Sequence, residues 1–143
     1  MTDFRERLAE KLQAEEGCEL MPYRCPEVEG GGNRLSIGVG RNLEERGITH
    51  QEAMVLLQTD IDITLQEIES NFPWSQNLSD NRRLVLADMC FGLGITKLKK
   101  FKLMLAALEA GDYEEAARQL KDSLYARQLV NRSERNAALL LEG

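Results

Sequence analysis

EGCELMPYRCPEVEGGGNRLSIGVGR, residues 16–41, separates a helical pattern from the pattern of a short sheet. It opens with Glu16, followed by Gly17, a residue type that commonly ends helices. Two prolines and the glycine-rich run Gly30–Asn33 follow, and then Leu35, Ile37 and Val39 alternate with smaller residues. Such alternation after a glycine-rich turn is typical of a β-hairpin. The segment therefore predicts a change from helix to a small antiparallel sheet.

Length and composition favour one globular domain. The chain has 143 residues, with 43% hydrophobic and 29% charged residues, enough for one compact core with two lobes. It lacks an apolar run of about 18 residues and begins with a charged segment, so we expect no stable membrane insertion, no secretory signal and a cytoplasmic protein. The net charge of −6 disfavours a nucleic-acid partner. Three cysteines without a Cys-x-x-Cys pair predict reduced thiols, no metal and no cofactor.

Capping residues and helical periodicity predict helices outside the hairpin, so the predicted fold class is α+β and mostly helical. Asp3 and Glu6 predict the start of a first helix over residues 3–16. Thr49 and Glu52 form a second capping box, which begins a long helix over about 50–72. Further helices are predicted over 80–91, 98–110, 112–122 and 130–141.

Glu16 is a candidate acid because it falls in the last turn of the first predicted helix. Unpaired carbonyls and the negative end of the helix dipole disfavour a second negative charge there, so the protonated carboxyl is favoured. Glycosidic cleavage needs a protonated carboxyl to give the leaving oxygen its proton, an effect of about 10²–10⁴-fold. A glutamate at a helix end is usually only solvated, so its interpretation depends on the neighbouring motifs.

Those motifs are Glu16-Gly17, Tyr23-Arg24-Cys25-Pro26 and Ser36-Ile37-Gly38-Val39-Gly40-Arg41. Together they resemble the active-site signature of the phage-type, T-even-like lysozymes or endolysins of glycoside hydrolase family 24. The resemblance extends over nearly the whole chain, through Thr49–Asp62, Arg82–Gly94, Phe101–Leu120 and Ser123–Arg135.

The resemblance implies a lysozyme-like fold within a single domain over residues 1–143. In that fold a small β-hairpin lobe, about 13–55, is joined by the long helix to a helical lobe, about 1–12 and 70–143. The implied partner is bacterial peptidoglycan, bound in the cleft between the lobes. The implied reaction is inverting hydrolysis of the β-1,4 bond from N-acetylmuramic acid to N-acetylglucosamine, by a protein that we expect to be a monomer.

The resemblance also implies roles for individual residues. Glu16 would be the proton donor, while the aspartate and threonine that hold the attacking water fall on Cys25 and Ser36. Serine keeps the hydroxyl, but a thiol that is mostly uncharged near neutrality is a poor general base. Some family members resemble this chain in carrying Cys there. Four roles therefore remain open for Cys25: it positions the water, attacks the anomeric carbon as a thiolate, stabilises positive charge, or is only a half-buried structural thiol. Glu27 and Glu29, in a loop longer than that of the T-even enzyme, are alternative bases.

Supporting residues follow from the same resemblance. Arg132 looks like the arginine that approaches the catalytic glutamate from the helical lobe, and Gln128 lies in the same closing segment. Arg41 and Asp60 fall where the T-even enzyme has a His–Asp pair, so they predict a salt bridge between the hairpin and the long helix. Gly92 departs from the family, which usually has Asn or Gln there, beneath the cleft.

Two other functions are also compatible with the sequence. A lytic transglycosylase also uses one glutamate but closes a 1,6-anhydro ring, so it needs no water-activating aspartate. A lysozyme-like wall-binding module would hold the glycan without cutting it. On the leading interpretation the protein is of phage or prophage origin, stays in the host bacterial cytoplasm, and reaches the wall through a holin-type pore or after cell rupture.

Overall fold

The computed structural model describes residues 3–25 and 32–143. Within these ranges the chain forms eight α-helices and one three-stranded antiparallel sheet, so the predicted α+β, mostly helical fold class is confirmed. The elements are α1 (Phe4–Glu16), β1 (Glu19–Arg24), β2 (Leu35–Gly38), β3 (Arg41–Asn42), α2 (His50–Asn71), a 3₁₀ turn (Pro73–Asn77), α3 (Asp80–Leu93), α4 (Ile95–Leu98), α5 (Lys102–Ala110), α6 (Tyr113–Lys121), α7 (Leu124–Gln128) and α8 (Val130–Glu142).

The predicted hairpin is present as β1 paired with β2, and β3 adds a short third strand beside β2. Tyr23 lies directly opposite Ser36 in the register. Cys25 extends the pairing past the end of β1, because its N–H donates to the carbonyl of Arg34 at 2.9 Å. Side chains two residues apart on a strand lie on one face, and opposite residues share it. Tyr23, Cys25 and Ser36 therefore face the same side of the sheet.

The predicted caps fix the starts of the first two helices. Asp3 accepts a hydrogen bond from the N–H of Glu6 at 2.9 Å at the start of α1. At α2 the capping box is reciprocal: the N–H of Thr49 donates to Glu52 at 2.9 Å, and the N–H of Glu52 donates to Thr49 Oγ1 at 3.1 Å. These hydrogen bonds satisfy backbone donors that the first turn of a helix leaves free.

One predicted helix is divided. The sequence predicts a single helix over 98–110, whereas α4 ends at Leu98 and α5 begins at Lys102. Phe101 between them has a non-helical ψ of 55°, and its ring packs edge-on against Tyr125 with centroids 6.1 Å apart. Burial of this aromatic pair favours a turn over a continuous helix. The segment that carries Tyr125, α7, was not predicted.

By their contacts the residues divide into two compact units, 1–54 and 55–143, and the division falls within α2. The buried hydrophobic core of the described residues belongs to the second unit, where α3, α5, α6 and α8 pack together. Its fully buried members include Val85, Leu86, Met89, Leu98, Met104, Leu108, Leu120 and Leu140. The lobe boundaries implied by the resemblance stay a prediction. In the described ranges, every helix is too short or too polar for a membrane span.

Candidate active site

Glu16 is the last residue of α1, and its side chain is exposed. Its carboxyl lies against Gly40, in the turn between β2 and β3. A Cβ built on Gly40 would come within 3.0 Å of Oε2 and 3.3 Å of Cδ of Glu16. Gly40 also has φ of +66°, a conformation that residues with side chains rarely adopt. A glycine is therefore required for this turn to approach the Glu16 carboxyl so closely.

A thiol and a hydroxyl lie side by side on the sheet. Cys25 Sγ is 3.2 Å from Ser36 Oγ, and either atom can be the donor. Ser36 is 2% exposed, whereas Cys25 is half-buried. The hydroxyl is thus buried inside the first unit, and the half-buried thiol beside it provides further hydrogen-bonding capacity. Such a pair can hold a water molecule.

Tyr23 lies in one of the motifs that resemble the family, but the resemblance implied no role for it. Burial raises the pKa of Tyr23, and the charges that Cys25, Glu16 and Glu19 carry when ionised raise it further. Its phenol therefore lies within electrostatic reach of both Glu16 and Cys25. The spacing of two residues between Tyr23 and Cys25, in a predicted strand, was the signal that placed them on one face.

Arg41 requires a correction, because its partner is Glu52 and not the predicted Asp60. Arg41 Nη2 lies 2.7 Å from Glu52 Oε2, Nη1 lies 2.9 Å from Oε1, and Nη1 also donates to the carbonyl of Gly47 at 3.0 Å. Hydrogen bonds from Arg41, and then from Thr49, lower the pKa of Glu52 to about 2. The capping box explains the difference, since it holds Glu52 at the start of α2, whereas Asp60 is exposed about two turns further along.

Arg132 lies near the start of α8 and is bound to Asp88 of α3. Its Nε donates to Asp88 Oδ2 at 2.9 Å, and its Nη2 donates to Oδ1 at 2.6 Å. The guanidinium is the main cause that holds the pKa of Asp88 below its usual range. Gln128, the other residue expected in this segment, ends α7 and is exposed.

The structure thus groups the candidate residues within each unit. In the first unit, the Tyr23 phenol and the Cys25–Ser36 pair lie on one face of the sheet, and the Glu16 carboxyl at the end of α1 lies against the turn at Gly40. In the second unit, Arg132 is bound by Asp88. The alternative bases Glu27 and Glu29 lie outside the described residues. The roles implied for Glu16, Cys25 and Ser36 stay predictions.

Comparison with known proteins agrees with the motifs. The family model described as phage lysozyme matches residues 13–136. The chain is 33% identical, over 114 residues, to the pre-baseplate central spike protein Gp5 of Enterobacteria phage T4; the match covers 76% of this chain and 20% of that protein. It is 31% identical over 99 residues to probable T4-type lysozyme 1 of Dictyostelium discoideum, covering 67% of this chain and 58% of that protein.

A second Dictyostelium discoideum protein, probable T4-type lysozyme 2, is 34% identical over 95 residues, which cover 64% of this chain and 56% of that protein. The chain therefore spans only part of the length of each of these relatives. The family match, in contrast, includes the candidate residues Glu16, Cys25, Ser36 and Arg132 and most of the chain. This chain belongs to the phage lysozyme family.

Proposed function

We propose that this chain is a muramidase, which hydrolyses the β-1,4 bond between N-acetylmuramic acid and N-acetylglucosamine in bacterial peptidoglycan. The observation that carries the proposal is the distance of 3.2 Å between Cys25 Sγ and Ser36 Oγ. This pair lies on the same face of the sheet as Tyr23, and the charge of Glu16 is one of the causes that raise the pKa of Tyr23. Membership of the phage lysozyme family supports lysozyme-like chemistry on this arrangement.

In the proposed reaction, Glu16 acts as the general acid. It gives its proton to the O4 oxygen of N-acetylglucosamine as the bond from this oxygen to C1 of N-acetylmuramic acid breaks. Positive charge develops at C1, and a water molecule attacks from the opposite face of the sugar. The attacking water loses one proton to solvent, Glu16 takes one back, and a hydroxyl remains on C1. The exposure of Glu16 suits this exchange with solvent.

Cys25 and Ser36 hold the attacking water in this proposal. The thiol already lies at hydrogen-bonding distance from a buried hydroxyl, so the two groups form a fixed polar pair that needs no thiolate. A covalent bond from Cys25 to C1 would require a second displacement and would return the original configuration. Positioning of water by the pair predicts inversion instead.

The products of purified peptidoglycan test this proposal. Proton NMR during the first turnovers is expected to show new reducing ends of N-acetylmuramic acid as the α-anomer, because the cleaved bond is β. Mass spectrometry is expected to find reducing ends that carry the added water, without a 1,6-anhydro ring. A β-anomer as the first product would make Cys25 a nucleophile, and 1,6-anhydro ends would make the protein a lytic transglycosylase. Wall binding without new ends would leave only a binding module, so each of these results contradicts the proposal.

A further inference from the structure

Three polar side chains from two helices of the second unit bind one another. Arg132 and Asn136 lie one turn apart on α8, and both donate to Asp88 of α3, with Asn136 Nδ2 at 2.9 Å from Oδ2. Arg132 Nη2 also donates to the backbone carbonyl of Asp88 at 3.3 Å. Asn136 is 5% exposed. The orientation of the Asp88 carboxylate is therefore fixed from two sides, and the carboxylate in turn fixes the guanidinium.

Gly92, one turn after Asp88 on α3, leaves room for that guanidinium. A Cβ built on Gly92 would lie 3.4 Å from Nη2 and 3.5 Å from Nη1 of Arg132. A methyl group fits at these distances, but any longer side chain needs the space that the guanidinium occupies. Glycine is unfavourable inside a helix, so its presence here calls for a reason, and the close approach of Arg132 supplies one.

The third nitrogen of the guanidinium remains available. Nε and Nη2 of Arg132 bind Asp88, whereas Nη1 makes no hydrogen bond with any residue in the described ranges. The side chain of Arg132 is 36% exposed, and Gly92 beside it is exposed as well. Nη1 therefore offers its N–H groups at an accessible surface, from a side chain that two helices hold in place.

We propose that Arg132 uses Nη1 to bind an uncharged acceptor of the glycan, an acetamido carbonyl oxygen. Asp88 and Gly92 position its guanidinium, and together they form what we call the Arg132 seat. This inference rests on the proposed function and names the substrate group that the second unit recognises. Asp88 balances the charge of Arg132 and repels a second carboxylate, so a neutral oxygen is the better ligand.

The seat is tested without substrate, by NMR titration of the Asp88 carboxyl. The groups that act on it are Arg132, Asn136, Arg135 and the buried Tyr125. Gly92→Gln is expected to displace the guanidinium and to raise the pKa of Asp88 towards its ordinary range. Gly92→Ala is expected to leave this pKa low, because a methyl group fits. If the pKa of Asp88 is unchanged in folded Gly92→Gln protein, position 92 does not control how the Arg132 guanidinium binds Asp88, and the proposed seat is wrong.

Kinetics on purified peptidoglycan test the glycan contact. Gly92→Leu, which fills the space without supplying a donor, and Arg132→Lys are both expected to raise KM about tenfold, with kcat within about twofold, since one charge-assisted hydrogen bond to bound substrate is lost. Ala106→Leu places the same new side chain on an exposed position of α5 and is expected to leave KM unchanged. On N-deacetylated peptidoglycan the difference between wild type and Arg132→Lys is expected to vanish, because the acceptor is absent.

These outcomes separate the two proposals. An unchanged KM in Arg132→Lys, or a difference that persists on the N-deacetylated wall, overturns the acetamido contact. Failure of the wild-type protein to release any reducing ends overturns the proposed function, while the Asp88 titration still reports on the seat.

Discussion

Cys25 is the residue on which the mechanism depends most. If the Cys25–Ser36 pair positions water, Cys25→Ser should keep the rate of reducing-end release within about threefold, because a hydroxyl can replace the thiol as donor and acceptor. Cys25→Ala removes one hydrogen-bonding partner of the water and should slow release about tenfold. Both variants should still give the α-anomer. An alanine variant as fast as wild type would make the thiol merely structural, and an inactive serine variant would favour a thiolate nucleophile.

At the scale of single residues, the Arg41–Glu52 pair predicts a dependence of stability on pH. The pKa of Glu52 in the folded chain is about 2, below the ordinary glutamate value of about 4.3. A lowered pKa means that the carboxylate stabilises the fold above the unfolded pKa, and that this contribution is lost as pH falls through the folded value. Arg41→Met should therefore lower Tm at pH 7, and the difference from wild type should shrink between about pH 4 and pH 2.

Thermal unfolding at several pH values checks this prediction, with Arg118→Met as the control. Arg118 pairs with Glu115 through a side chain that is 68% exposed, compared with 29% for Arg41. An exposed pair contributes little, so the control should change Tm less at pH 7. A difference between Arg41→Met and wild type that stays constant from pH 7 to pH 2 would contradict the account.

The candidate site was predictable only in part. Glu16, Cys25 and Ser36 follow from local motifs, because the hairpin brings residues near in sequence onto one face. The approach of Gly40 to Glu16 depends on the turn after β2, which the motif does not describe. The partner of Arg41 was predicted wrongly because Asp60 was taken from the position of the family's His–Asp pair, whereas the cap geometry at the start of α2 brings Glu52 near.

Among the secondary-structure elements, α2 offers the clearest test of the link from sequence to structure. Thr49→Ala removes the side-chain half of the capping box and should lower the free energy of unfolding by about 1 kcal/mol, within a range of about 0.5–2. Thr59→Ala makes the same chemical change at an exposed position inside α2 and should cost less, because alanine is the better helix former there. Urea unfolding measures both. Equal losses would mean that the capping box does not set the start of α2.

The elements differ in how far local signals determine them. Side-chain caps at Asp3 and Thr49 mark helix starts that were anticipated from the residue types, and Ser79 and Asp112 cap α3 and α6 in the same way. The break between α4 and α5 was not anticipated, because it depends on the packing of the Phe101 ring against a residue 24 positions further along the chain. Local propensity cannot report such a contact.

At the scale of the whole molecule, each of the two units is stabilised internally by a different kind of contact. The described hydrophobic core belongs to residues 55–143, whereas ion pairs join the sheet of the first unit to its loops and to the start of α2: Arg24–Glu44, Arg34–Glu45 and Arg41–Glu52. Helical periodicity predicted the fold class, since it reports on buried faces. The pairing of surface charges follows no such period, so these ion pairs could not be predicted from the sequence.

The most direct test of the muramidase proposal compares two adjacent glutamates of α1. Glu16→Gln removes the proposed acid, while Glu15→Gln makes the same change at an exposed residue that pairs with Lys11 at 3.1 Å. The release of reducing ends from purified peptidoglycan should fall by about 10²–10⁴-fold in Glu16→Gln and stay near the wild-type rate in Glu15→Gln. The two variants should unfold within about 1 kcal/mol of wild type. Wild-type release by folded Glu16→Gln protein would contradict the assignment of Glu16 as the acid.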